Sequence, residues 1–264
     1  MRIPLFHVDA FAQGPCSGNP AAVCLLDSWL DDSWLRKVAA ENNLSATAFL
    51  VRGPDHYQLR WFTTRCEIRL CGHATLAAAF VVLELMDLGR ESVQFENHRA
   101  GILTVRRASS LFAMDFPALV PQPCRERPPG LTQALGLETD PSELLEVNET
   151  YIAVLRDEGK VALATPDFSL LEQLHPYVVV ITAPGERDDF VSRYFAPRYG
   201  IPEDPVTGSV HCALTPYWSK RLGKTRLHAR QLSERRGELW CELAGERVML
   251  MGRAILTMQG TLTI

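Results

Sequence analysis

The chain has 264 residues, of which 47% are hydrophobic and 22% charged, and its formal net charge at pH 7 is −4. That length can bury a real core, as one large domain or two smaller ones, and the balance is that of an ordinary soluble protein. Mild acidity without a basic stripe excludes a nucleic-acid binder, and seven scattered cysteines read as reduced thiols rather than a disulfide framework. The stretch Met1–Asp9 lacks the apolar core of a signal peptide, so a cytoplasmic protein that binds no membrane is expected.

Taken in order, Ile3–Asp9 and Ala21–Leu26 alternate well enough for strands, with a glycine and proline turn over Gly14–Pro20 between them. Leu30-Asp31-Asp32 offers helix caps, and Trp34, Leu35, Val38 and Ala39 give the helix one apolar face. Thr47–Arg52 and Tyr57–Phe62 read as a hairpin around Gly53-Pro54-Asp55. Cys66–Leu88 begins as a short strand, turns at Gly72 and continues as a helix apolar nearly all round, hence buried. At about 25 Å it is short for a membrane span.

Three strands follow, Ser92–Glu96, Gly101–Arg106 and Leu111–Phe116. Five prolines between Pro117 and Gly130 mark a linker. The boundaries expected are therefore 1–116 and 131–264, with the last strand returning to the first lobe. In the second half, Leu144–Val147, Tyr151–Arg156, Lys160–Thr165 and Tyr177–Thr182 read as strands, and Phe168–Leu174 as a short helix. A second glycine turn, Asp204-Pro205-Val206-Thr207-Gly208-Ser209, opens a largely apolar helix that closes at Gly223. Strands then run to the end: Leu227–Leu232, Leu239–Leu243, Val248–Met251 and Ala254–Ile264. The class is α+β, with mostly antiparallel sheets around two central helices, and no dinucleotide or P-loop glycine motif occurs.

The two helix starts carry the chemistry. A buried helix that opens on Gly72-His73-Ala74-Thr75 turns unpaired backbone N–H groups toward whatever precedes it, and those groups favour an anion. Gly208-Ser209-Val210-His211 repeats the device, which points to two similar halves facing one pocket. Cys66, Cys71 and His73 crowd together, but their spacing is not that of a zinc site, and no metal is expected.

Four segments together resemble the phenazine-biosynthesis PhzF-like family. They are Asp9-Ala10-Phe11 with Gly18–Val23, Glu41–Phe49, Leu70–Leu76 and Gly200–Ser209. The resemblance implies the diaminopimelate-epimerase-like fold, with two lobes each wrapped around a central helix and the site between them. It also implies a cofactor-free isomerase of a small cyclic or amino-acid-like carboxylate, commonly a homodimer. The family's best-understood member shifts a hydrogen across the ring of a dihydro-hydroxyanthranilic acid. It uses a glutamate within N-L-S-E-T, where this chain reads Asn43-Leu44-Ser45-Ala46-Thr47. A methyl group neither takes nor gives a proton. The other matching positions are intact. His73 stands as proton carrier or hydrogen-bond partner, and Asp204 as a group that orients an imidazole or holds an amino group. Gly72, Thr207, Gly208 and Ser209 stand as carboxylate donors, and Asn19 as a further contact.

Two other functions compete. A non-catalytic carboxylate-binding protein is favoured by Ala46. The other is an amino-acid racemase or epimerase on the same scaffold, and the resemblance implies a pair of cysteines for it, one at each helix start, as in the related epimerases. Cys71 supplies one, but Pro205, at the place matched to it before the second helix, does not.

Overall fold

The computed structural model describes residues 1–174 and 178–264. The chain divides into two compact units, Met1–Asp115 with Leu250–Ile264, and Phe116–Met249.

In the first unit β1 (Arg2–Ala10) and β2 (Asn19–Leu26) pair antiparallel, α1 (Asp32–Asn42) crosses over, and β3 (Ala46–Arg52) returns parallel to β2. β4 (Tyr57–Phe62) and the two-residue β5 (Glu67–Ile68) extend the sheet antiparallel. After α2 (Gly72–Phe80), β6 (Ser92–Asn97) returns parallel to β4, and β7 (Gly101–Ala108) and β8 (Leu111–Pro117) complete a meander. In the second unit β9 (Gln122–Pro123) and α3 (Leu131–Ala134) precede a hairpin of β10 (Glu143–Val147) and β11 (Thr150–Val154). Helices α4 (Glu158–Leu163) and α5 (Phe168–Glu172) lead to β12 (Val178–Pro184), parallel to β11. Next come β13 (Phe190–Ala196), β14 (Ile201–Asp204) and α6 (Gly208–Leu222). β15 (Arg226–Gln231) lies parallel to β13 and antiparallel to β16 (Gly237–Ala244). β17 (Arg247–Gly252) leads into β18 (Ala254–Thr263), which pairs with β1.

The same order of pairings thus occurs twice. A hairpin is followed by a helical crossover and a parallel return, then two antiparallel strands, a buried helix and a second parallel return. Each helical crossover makes the next pairing parallel, as geometry requires, so the sheets are mixed within a largely antiparallel α+β fold.

The central helices explain the burial. Ala74 to Ala79 of α2 are buried, and its small side chains let the backbone lie close on β1, β2 and β3. Past Phe80 the helix widens to a π-helix, Val81–Met86, in which the Asp87 N–H donates to the Val82 carbonyl at 2.7 Å. The α-helix is therefore shorter than the apolar run predicts. In α6, Pro216 has no N–H to donate to the Cys212 carbonyl, and that carbonyl instead accepts the Leu119 N–H at 2.9 Å.

Several expectations need correction. Lys160–Thr165 is not a strand. The Asp157 carboxylate accepts the Lys160 N–H at 2.9 Å, capping α4, and Val161 turns into the core of Leu155, Ile181 and Val191. Residues 117–130 are not a bare linker, since β9 pairs with β10 and Ala118 donates to the Glu246 carbonyl at 2.8 Å. Asn19 and Pro20 belong to β2 rather than to a turn, paired with Ala10 and Asp9. Tyr177 lies outside the described residues. No described helix is long and apolar enough to cross a membrane.

Candidate active site

In the first unit Cys71 caps the N-terminus of α2 in extended conformation, with no side-chain hydrogen bond to the first turn. A thiol is a poor acceptor, so the opening N–H groups of Gly72, His73 and Ala74 keep their polarity for another partner. Space is open beside Gly72, where an added Cβ would meet no atom within 4 Å. The His73 ring is half-buried, 3.5 Å from the Cys71 sulfur through Nδ1. Desolvation pushes its pKa down to about 4, so it is neutral at physiological pH.

Ala46 begins β3, is wholly buried, and pairs with Ala21 in parallel register. Asn19 is likewise buried, two residues before Ala21 on β2. Gly18 turns the chain into β2 with φ +75°, and a Cβ there would fall 2.4 Å from the Ala10 carbonyl oxygen, so only glycine fits.

In the second unit Thr207 is the cap of α6, Gly208 its first residue and Ser209, exposed, its second. The Thr207 hydroxyl donates to the Asp204 carboxylate rather than capping the helix, so this start also lacks a side-chain cap. By contrast α4 and α5 are capped by Asp157 and Asp167. The Asp204 carboxylate is nearly buried, and burial together with this carboxylate raises the pKa of Tyr194. His211 is fully buried; its Nδ1–H donates to the Thr207 carbonyl at 2.8 Å, and burial lowers its pKa to about 4. It faces the ring of Phe190, not solvent. The structure thus joins Asp204 to Thr207 and His73 to Cys71 within their own units.

Aligning the caps puts Glu67-Ile68-Arg69-Leu70-Cys71-Gly72-His73-Ala74-Thr75 on Glu203-Asp204-Pro205-Val206-Thr207-Gly208-Ser209-Val210-His211. The residue matched to Cys71 is therefore Thr207 and not Pro205; the second start still has no thiol. Thr75 and His211 do the same work, since the Thr75 hydroxyl donates to the Cys71 carbonyl at 2.6 Å.

The match extends backward into paired clamps that sequence reading missed. Arg60 on β4 grips Glu67 through Nε and a terminal nitrogen at 2.7 and 2.8 Å, and Arg193 on β13 grips Glu203 at 2.7 and 2.9 Å. Each guanidinium also lies about 5 Å over the phenylalanine two residues on, Phe62 or Phe195. Bidentate pairs of this kind fix direction as well as distance. They hold β5 and β14, the strands that deliver the chain to each helix start. Gln231 was also missed. Fully buried on β15, it accepts the Thr207 N–H at 2.9 Å and donates to the Asp204 carbonyl at 2.7 Å. The available signal was the shared R-[WY]-F triplet, seven residues before one glutamate and ten before the other. Among the described residues no group of three or more His, Cys, Asp or Glu is placed to hold a metal ion.

Comparison with known proteins gives a consistent relationship. The sequence profile of a family described as phenazine biosynthesis-like protein matches residues 8–260. A Pseudomonas aeruginosa protein named an uncharacterized isomerase is 50% identical over 262 residues, 99% of each chain. The crystal structure of an Enterococcus faecalis phenazine biosynthesis protein of the PhzF family superposes with TM-score 0.95 at 43% identity, covering 100% of both chains. A hydroxyproline epimerase from Agrobacterium vitis shares the fold at TM-score 0.63 and 10% identity, over 99% of this chain and 92% of that one. The chain belongs to the PhzF, or phenazine biosynthesis-like, family.

Proposed function

We propose that this chain is an isomerase that moves a proton on a small cyclic or amino-acid-like carboxylate, using side-chain acid–base groups alone. The observation that carries the reading is the first turn of α2. There an imidazole with a pKa near 4 stands beside uncapped backbone N–H groups and open space at Gly72. A neutral imidazole has one nitrogen that donates and one that accepts, and uncapped amides attract the substrate's carboxylate. Asp204, nearly buried and fixed by Thr207, suits an amino group, while Gly208 and Ser209 offer the α6 start to an anion.

Ala46 supports a second reading. Its buried methyl group stands where the family pattern has a glutamate, so a chain that binds the carboxylate without turning it over is the alternative. Losing a general acid–base group costs about 10²–10⁴ in rate.

The test is deuterium incorporation from D₂O into dihydro-hydroxyanthranilate, followed by NMR, for this chain and Ala46→Glu side by side. Turnover by the unaltered chain that disappears in His73→Gln supports the isomerase. Turnover by Ala46→Glu alone supports the binding protein. Reaction by neither removes this substrate.

A further inference from the structure

Gln231 has no counterpart in function at the equivalent place of the first unit. Both β6 and β15 alternate outward and inward, and their third inward residues are Asn97 and Gln231. Asn97 caps its own turn, accepting the N–H groups of Arg99 and Ala100 at 2.8 and 2.9 Å and donating to the Leu59 carbonyl at 2.7 Å. Gln231, one methylene longer, reaches the turn before α6 instead.

Its partners fix the orientation of its carboxamide. A carbonyl oxygen only accepts, so the atom 2.7 Å from the Asp204 carbonyl is the NH₂ nitrogen; a backbone N–H only donates, so the atom 2.9 Å from the Thr207 nitrogen is the oxygen. The second hydrogen of the NH₂ group is directed at the Thr207 hydroxyl oxygen, 3.4 Å away. That hydroxyl has a single proton, and the Asp204 carboxylate takes it. The polarity of the chain Gln231 to Thr207 to Asp204 is therefore set throughout. Ser233 adds a donor to the Pro205 carbonyl at 2.7 Å, holding the same turn from the following loop.

We propose that Gln231 is a positioning residue. By directing the Thr207 hydroxyl it keeps the Asp204 carboxylate oriented. The assignment of Asp204 to the substrate rests on the function proposed above; the orienting chain does not. The Thr207 hydroxyl and Tyr194 on β13 are among the groups that face Asp204, and Tyr199, in the turn before β14, acts on Tyr194.

The test is the carboxyl titration of Asp204 in the full chain, read by ¹³C NMR with labelled aspartate and assigned with Asp204→Asn. Gln231→Met removes the orienting amide without adding charge. It is expected to raise the Asp204 midpoint by about one pH unit, because a hydrogen bond to the ionised form is weakened. In a Thr207→Val background the same change is expected to do nothing further. Gln231→Asn adds no charge and is one methylene too short to reach the Thr207 hydroxyl; it decides the matter if Gln231→Met does not fold, and the midpoint is again expected to rise. An unmoved midpoint in the variant that folds, or an equal shift with and without the Thr207 hydroxyl, overturns the proposal. None of these readings needs a substrate. A chain that shows the coupling yet acts on no carboxylate keeps the positioning role and loses the proposed function.

Discussion

The two units solve one problem with the same parts up to the last side chain. In both, an Arg–Glu pair pins the strand before a buried helix, and the helix begins on glycine without a side-chain cap. They then diverge. The first start holds a thiol and a neutral imidazole 3.5 Å apart; the second holds a hydroxyl on a carboxylate, clipped by Gln231. The clamp is thus common to both units, and the cap residue with its neighbours is what differs. The outer ties of the clamps differ as well. Arg60 also meets Asp32 at the α1 N-terminus, whereas Arg193 also donates to the Ala164 carbonyl at 2.8 Å and the Val161 carbonyl at 3.3 Å.

If the first start does chemistry and the second binds, variants at the two matched positions must fail differently. In the Ala46→Glu chain acting on dihydro-hydroxyanthranilate, His73→Gln should lower kcat by about 10²–10⁴ with little change in KM. Ser209→Ala should raise KM and leave kcat within a few-fold. Steady-state kinetics check both, and a KM effect at His73 would erase the division of labour.

The clamps come next. Arg193→Met leaves Glu203 and two carbonyls without their donor and should cost about 3 kcal/mol in urea unfolding, against about 2 kcal/mol for Arg60→Met, whose pair loses fewer internal bonds. Equal losses would show that the extra carbonyl ties contribute nothing.

A third contrast concerns pH. His211 has a folded pKa near 4 against an ordinary value of 6.5. Above pH 6.5 it is neutral in both states and adds no pH dependence. As pH falls from 6.5 to 4 the unfolded chain takes up a proton that the folded chain refuses, so stability is lost, by about 3 kcal/mol at the lower end. His211→Gln should flatten the fall of Tm across that window. Thr75, its match in the first unit, does not titrate there, and Thr75→Ser should leave the slope unchanged.

The smallest expected effect is a one-methylene exchange. Gln231→Asn shortens the clip to the length of its first-unit match and strands either the Thr207 N–H or the Asp204 carbonyl, for about 1–2 kcal/mol. Chemical denaturation measures it, and a neutral result would mean that the turn holds itself.

The helix starts, the strand and hairpin order and the family were legible because each rests on local pattern: glycines after polar caps, alternation, and four motif segments in order. What escaped depends on chain-distant contact. Arg193 and Glu203 are ten residues apart with a turn between, and Gln231 is 24 residues from the Thr207 nitrogen it accepts. Lys160–Thr165 was misread for another reason. Its short V-A-L-A run fits either period, and the Asp157 cap that decides for a helix stands three residues upstream of Lys160. The matching of Cys71 to Thr207 needed the cap positions themselves, since the two starts share only glycine.

The most direct test of the central claim is an NMR titration of ¹⁵N-labelled chain with anthranilate and, separately, with neutral anthranilamide. If the uncapped helix starts bind the carboxylate, the amides of Gly208 and Ser209 should shift saturably with anthranilate and stay in place with the amide. Equal shifts with both compounds, or none with either, would contradict the claim that these helix starts recognise an anion.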